Sequence, residues 1–443
     1  MEEKNIIAIE IGSSKIKGAL GIYSPQGVLT VKTVEEEPLL DFVRYGAVSN
    51  VEETAKLVAR IIRKIENQVV PRKISTVYVA LGGRSCCSVR RDVETQLSEE
   101  MEITDQILRG LRDEVSATQL SDRDLFAVVP RQYIIDKTVV AHPKGTVGRN
   151  IRFSANLITC RLTSKRNIDI LFHDKLQLNV GGYEVRQLAL GDLVITKDEK
   201  RLGCMLVDFG AETTAVSIYK DGHLQYMATL PLGSRNITRD ITELKYLEEK
   251  AEEIKCKEGN ASGNATPHQH PGGVDYTPVN NYVSHRAGEI IANIRKQIDY
   301  AGFKATDLSA GIIIVGRGAR LAGFNDRLSK TAGMNLRVGS ITAPEIRIAD
   351  SRISAADASD VIAVLYKAAI HGAQECLTND VVDLTQEEEP VIEEPVPEPV
   401  IDPIAEEPEK RKKGGFFKDL KNKFGKFLDE NEDDDDELKD DAD

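Results

Sequence analysis

No apolar run in this chain of 443 residues approaches the length of about 20 needed to span a bilayer. The opening, Met1-Glu2-Glu3-Lys4-Asn5, also lacks the basic-then-apolar pattern of a secretory signal. With both missing, any membrane contact is expected to be peripheral. The six cysteines (Cys86, Cys87, Cys160, Cys204, Cys256 and Cys376) show no zinc-ligand spacing. Several lie in apolar, strand-like runs where a reduced thiol acts as a small hydrophobe, which points to a reducing cytoplasm. Nor is there much charge imbalance outside one end of the chain. The formal net charge is −13, yet residues 377–443 hold 24 of the 71 acids and 9 of the 58 bases, leaving 47 acids against 49 bases in residues 1–376. The body is therefore close to neutral and offers no case for a nucleic-acid partner.

What is present is a repeated design. The length suggests two or three domains. From Gly203 to Gly222 an apolar run reaches Asp208, turns on Gly210, and returns through Thr213 and Thr214 into Ala215-Val216-Ser217-Ile218-Tyr219. That pattern reads as a β-hairpin with an acid at its bend. The N-terminal region repeats it: Ile6-Ile7-Ala8-Ile9 leads into Glu10, then a turn on Gly12 with Ser13, Ser14 and Lys15, then a return through Ile16, Gly18 and Leu20. Two such hairpins suggest a duplicated domain. A turn rich in Gly, Ser and Thr offers N–H and hydroxyl donors to phosphate oxygens, and an acid beside it suits Mg2+, usually through water. Two facing hairpins would hold a triphosphate between them, with Glu10 and Asp208 ordering the metal.

Between and beyond the hairpins, the spacing predicts a helix over 51–67, a buried strand over 76–81, a helix near 104–116, and strand-like sequence from Leu125 to Asp136. It further predicts a helix near 165–179, a strand near 183–189, and helices at 236–255 and 283–301. Residues 84–161 differ in texture and read as an inserted subdomain. Residues 257–281 are rich in Gly, Asn, Pro and His and read as an exposed loop; His268 and His270 within it have no further ligand in view. A β-branched run, Gly311 to Val315, then enters Gly316-Arg317-Gly318, a junction at which a flat ring could approach the backbone. The expected class is α/β with a mixed sheet in duplicated domains. Domain 1 comprises 1–83, 162–201 and 350–376, the insert 84–161, and domain 2 residues 202–349 with a helical and loop subdomain over about 233–300.

The order of hairpin, hairpin and late strand-glycine turn resembles the phosphate-1, phosphate-2 and adenosine motifs of the actin-like ATPase superfamily, which implies that the duplicated domains are actin-like (ribonuclease H-like). Within it, Ile9-Glu10-Ile11-Gly12-Ser13-Ser14-Lys15 is similar to the first motif of the bacterial FtsA family, with Glu where other branches carry Asp. Val129-Pro130-Arg131-Gln132-Tyr133-Ile134-Ile135-Asp136 resembles that family's inserted subdomain, and the similarity runs from about residue 5 to 375. Arg286 and Glu289 are similar to the pair that in the family lies beside the nucleotide's sugar and base, and Asp357 to Gly372 looks like its closing helix. The family's Asp-x-Gly-Gly-Gly-Thr stands here as Asp208-Phe209-Gly210-Ala211-Glu212-Thr213, and Arg317 interrupts the later glycines. A carboxylate facing a triphosphate is repulsive unless a cation lies between them or the side chain points away. Hydrolysis is thus expected to be weak or absent, with ATP chiefly supporting assembly. The resemblance implies ATP and Mg2+ as ligands, with Gly12, Ser13, Ser14, Lys15, Asp208, Gly210, Thr213, Gly233, Arg286, Glu289, Gly316 and Gly318 on the nucleotide and Glu10 and Asp208 on the metal. It also implies self-association into filaments and, as partner, the C-terminal peptide of the tubulin-like division protein FtsZ. Two other readings remain open: a small-molecule kinase on the same fold, with Asp208 or Glu10 as general base, and a pilus- or secretion-associated actin-like adaptor.

Residues 377–413 are rich in Glu, Asp, Pro and Val and cannot bury enough apolar surface to offset their ordering entropy, so a disordered linker is expected. Lys410-Arg411-Lys412-Lys413 follows, then Phe416, Phe417, Leu420, Phe424, Phe427 and Leu428 at helical spacing with lysines between. On a helix over 414–428 those six share one face, the pattern of a helix lying in a lipid interface. The FtsA resemblance implies the same role, at the inner face of the cytoplasmic membrane and the division septum. Residues 429–443 carry 11 acids and one lysine, which an anionic leaflet would repel.

Overall fold

The computed structural model describes residues 3–39, 41–262 and 275–379. Leu377–Thr378, expected to begin the disordered linker, instead form a short strand antiparallel to Lys73–Ile74, while residues 380–413, the apolar six from Phe416 to Leu428, the acidic end, and His268 and His270 lie outside the described residues.

The two predicted hairpins each found a sheet. In the first, the strands Lys4–Ile11, Lys15–Tyr23 and Leu29–Pro38 form an antiparallel meander. Thr76–Leu81 adds parallel to Lys4–Ile11, and Asn179–Val185 adds parallel beyond it. In the second, Cys204–Phe209, Thr214–Lys220 and His223–Leu230 form the meander, and Gly311–Val315 and Leu336–Val338 add in parallel. The order along both sheets is third, second, first, fourth, fifth, so the duplication extends from the hairpin to the whole sheet. A short strand, Ile346–Ile348, returns to the first sheet's edge beside Leu29–Pro38.

Ile6, Ile7, Ala8 and Ile9 are all fully buried, a continuous run rather than an alternation, because helices cover both faces of the sheet. Two glycines in the partner strand permit this. A Cβ on Gly18 would stand 2.4 Å from Ile61, and one on Gly21 would stand 2.7 Å from Leu365. Position 18 thus seats the helix Val51–Glu66 on one face, and position 21, three residues on, seats Ser359–Ile370 on the other. Asn50 caps the first of these helices by accepting from the Glu53 N–H at 3.1 Å. Its buried Ile61 and Ile65 contribute about 1.5–3 kcal/mol each.

Between Leu81 and the helix Leu162–Asp169 stands a separate antiparallel sheet, Cys87–Glu102, Arg123–Ile135, Thr138–Val140 and Val147–Arg161, with the helix Asp105–Ser116. It has its own apolar cluster, in which Tyr133 stacks on Phe153 at 4.6 Å. This sheet is pinned to the outer strand of the second sheet. Asn156 Nδ2 donates to the Leu224 carbonyl at 2.8 Å, and the Met227 N–H donates to Ser88 Oγ at 2.9 Å.

Three local expectations differ from the structure. The strand near 183–189 ends at Val185, and Arg186 opens the helix Arg186–Val194. The apolar Leu188-Ala189-Leu190 run had suited either state, and packing against the helix Ser359–Ile370 decided it. The single helix over 236–255 is two, Ser234–Thr242 and Glu248–Glu258, interrupted where Lys245 adopts a φ of 70°. Cys86 and Cys160, expected as reduced thiols, are joined in a disulfide. The two strands end side by side and bring positions 74 residues apart to a Cα separation of 4.5 Å, which their spacing in sequence does not reveal.

No helix among the described residues is long and apolar enough to cross a membrane.

Candidate functional site

Both hairpin turns close in the same way. The Gly12 N–H donates to the Lys15 carbonyl at 3.0 Å, and the Gly210 N–H donates to the Thr213 carbonyl at 2.9 Å. The two turns face one cleft. Glu10, Gly12, Ser13, Ser14 and Lys15 line its first lip, Asp208, Gly210 and Thr213 its second, and Gly316 lies where the late strand ends. The cleft opens at the carboxyl ends of parallel strands, where open α/β sheets place their ligands.

The remaining predicted residues are outside that lining. Gly233 packs on the second turn, where a Cβ would meet the Ala211 carbonyl oxygen at 2.3 Å, and Gly318 packs on the Phe209 ring. Arg286 donates through Nε and Nη2 to Asp240 at 2.7 and 2.9 Å, and through Nη1 to Glu289 at 2.5 Å. Arg286 and Glu289 therefore tie the helix Thr277–Tyr300 to the helix Ser234–Thr242.

Several charged groups at the site escaped the sequence reading. Arg186 is the main one. Its Nη1 donates to Glu10 Oε1 at 2.9 Å, and its Nη2 lies 3.0 Å from Asp208 Oδ2. The assignment of residues 183–189 to a strand hid it, although its place just after a parallel strand is the one signal that could have exposed it. Lys17, two residues beyond Lys15 and so on the same strand face, donates to the Asp357 carbonyl at 2.7 Å and to Asp360 Oδ2 at 2.5 Å. Lys15 donates to Glu36, and Arg317 reaches the same carboxylate at 3.1 Å. Burial, and then the Asp360 carboxylate, push the Glu10 carboxyl up to about 7 against the Arg186 and Lys17 cations. Burial alone would lower the Lys17 amine, but the Asp360 and Glu10 carboxylates outweigh it and raise it.

Glu212 does not face the cleft. It is 1% exposed and turned into the junction with the segment after Asp41. There it accepts from the Tyr45 N–H at 2.7 Å and from Arg239 Nη2 at 2.9 Å, with Arg235 Nη1 at 3.4 Å and Arg44 Nε at 3.6 Å. The repulsion of phosphate expected from this residue is thereby removed, because the carboxylate is directed away and neutralised.

The Mg2+ expected between Glu10 and Asp208 is a different matter. Mg2+ demands near-ideal octahedral oxygen coordination at about 2.0–2.1 Å and keeps several waters. Here the Arg186 guanidinium already stands against both acids. The residues present do not fit a Mg2+ held by that pair.

The family described as Cell division protein FtsA matches residues 205–358, and the one described as SHS2 domain inserted in FTSA matches residues 83–159. A Cell division protein FtsA from Porphyromonas gingivalis is 29% identical over 352 residues, covering 77% of this chain and 72% of that protein. The protein of the same name from Escherichia coli strain K12 is 25% identical over 364 residues, covering 76% of this chain and 84% of its own. Among solved structures, a chain of a PilM-PilN type IV pilus biogenesis complex is similar, with a TM-score of 0.59 at 15% identity over 83% of this chain and 98% of that one. The fold is that of the actin-like ATPases with an SHS2 domain inserted after the first sheet's fourth strand.

Proposed function

This chain belongs to the FtsA family of cell-division proteins, and on that premise we propose that it binds ATP in the cleft between its two sheets, assembles into actin-like filaments on the inner face of the cytoplasmic membrane, and ties FtsZ to the division septum through its C-terminal amphipathic segment. The observation that carries the nucleotide reading is the convergence of two like turns, Gly12–Lys15 and Gly210–Thr213, on one cleft. Each turn presents backbone N–H groups and hydroxyls suited to phosphate. Nucleotide binding accords with the fold, and similarity to cell-division FtsA proteins is what supports reading filament formation, lipid contact and FtsZ binding into this chain.

Ser14 provides the test. It lines the cleft and is only half-buried, so an acid there is tolerated by the fold but faces the phosphates. Ser14→Asp is expected to weaken ATP at least tenfold in a direct titration, about 1.4 kcal/mol, with the melting temperature unchanged. Unaltered affinity would remove the site assignment.

The kinase reading is less favoured on a specific ground: Glu10 and Asp208, the two candidates for general base, are both engaged by Arg186. For the same reason unassisted turnover of ATP is expected to lie well below the common enzyme range of about 1–10³ per second. Phosphate release from the purified protein at such rates would contradict it. The pilus-adaptor reading has only a similarity of fold behind it, and localisation of the labelled protein at midcell rather than at other envelope sites separates the two.

A further inference from the structure

The space between Glu10 and Asp208, where the sequence leads one to expect a divalent ion, is taken here by a side chain. We propose that Arg186 acts as a built-in cation, neutralising Glu10 and Asp208 and meeting the phosphate oxygens itself, so that a nucleoside triphosphate binds in this cleft without Mg2+. The inference rests on the nucleotide reading given above and deepens it.

Two acids at the base of a phosphate site would repel a triphosphate unless a cation intervened, and this electrostatic task is what Mg2+ ordinarily performs. In this cleft it is already done. The guanidinium stands 2.9 Å from Glu10 Oε1 and 3.0 Å from Asp208 Oδ2, between the two carboxylates. A divalent ion entering between those acids would confront a fixed positive charge.

The guanidinium also has donors left over. Its Nε is buried without a hydrogen-bond acceptor, and the approach of Nη2 to Asp208 Oδ2 lacks hydrogen-bond geometry, so that oxygen too is without a donor. Nε faces Gly82 away from solvent, so the 14% of the Arg186 side chain that is exposed where it lines the cleft leaves its Nη groups as the donors a phosphate oxygen can approach. A planar guanidinium suits such an oxygen pair better than an ammonium does, and it needs no coordination shell. Arg186 is also placed firmly. It opens the helix Arg186–Val194 directly after the strand Asn179–Val185, and its guanidinium lies over Gly82, where a Cβ would stand 3.4 Å from Nε.

The test is an equilibrium titration of the full-length protein with ATP, in excess Mg2+ and again in EDTA. For the unaltered protein the two dissociation constants are expected to agree within tenfold. Arg186→Gln bares the two acids, so its affinity in EDTA should fall by more than tenfold relative to its affinity in Mg2+. Arg186→Lys, which keeps the charge, should retain binding in EDTA within tenfold. Thermal melting identifies a variant that fails to fold, and the unaltered protein alone then decides the matter. If it loses more than tenfold in EDTA, or if folded Arg186→Gln shows the same Mg2+ dependence as the unaltered chain, the inference is wrong and the nucleotide reading survives. If ATP binds in neither condition, both fall.

Discussion

Glu212→Ala is expected to lower the stability of the folded body by about 3 kcal/mol, read from chemical denaturation. Removing one member of a buried ionic cluster costs roughly 3–5 kcal/mol because the partners are left without compensation. Here Arg235 is 16% exposed at its side chain, whereas Arg239 and Arg44 reach water at 32% and 45%, which sets the expectation at the lower end. The Tyr45 N–H would lose its acceptor as well. The cluster joins the second domain's turn to the segment that follows the first domain's meander, so the loss should also loosen the two halves of the cleft. Glu249→Ala on the exposed face of Glu248–Glu258 serves as a control and should change nothing measurable. A loss below 1 kcal/mol for Glu212→Ala would show that the four arginine and backbone contacts contribute little.

Replacing Phe417, Phe424 and Phe427 by glutamate is expected to release the protein from phospholipid vesicles in a flotation assay. These residues lie outside the described ones. On the helix expected over 414–428, six large apolar side chains sharing one face would be worth about 1.5–3 kcal/mol each when fully buried, so even partial immersion would exceed the roughly 1 kcal/mol per nearby lysine gained at an anionic leaflet. Three glutamates remove half of that face and add repulsion. Deleting 429–443 should leave flotation intact, or strengthen it on anionic lipid, since 11 acids go and the apolar face stays. Flotation of the triple-glutamate protein, or loss of binding on removal of the acidic end alone, would overturn the interfacial-helix mechanism.

What depends on neighbours in the chain can be read from residue order alone. The two hairpins, their glycine turns and the acids beside them were legible because a short apolar run ending in an acid and then Gly-Ser-Ser-Lys or Gly-Ala-Glu-Thr is a local signal. The duplicated sheets followed from the repetition, and the amphipathic end is likewise an expectation of local spacing. Which distant groups come to share a charge is fixed only when the core packs. Glu10 and Arg186 are 176 residues apart, Lys17 and Asp360 are 343 apart, and neither pairing has any trace in spacing. Glu212 reads from the chain as a carboxylate set in a phosphate turn, but it rotates away because Tyr45, Arg235 and Arg239 surround it once the domains close. Arg286 and Glu289 keep their helical spacing, yet their direction depends on Asp240 from another helix. Backbone pattern is set by short-range sterics and periodicity, whereas a buried ion's partner is chosen by whichever opposite charge the packed core brings within about 3–4 Å.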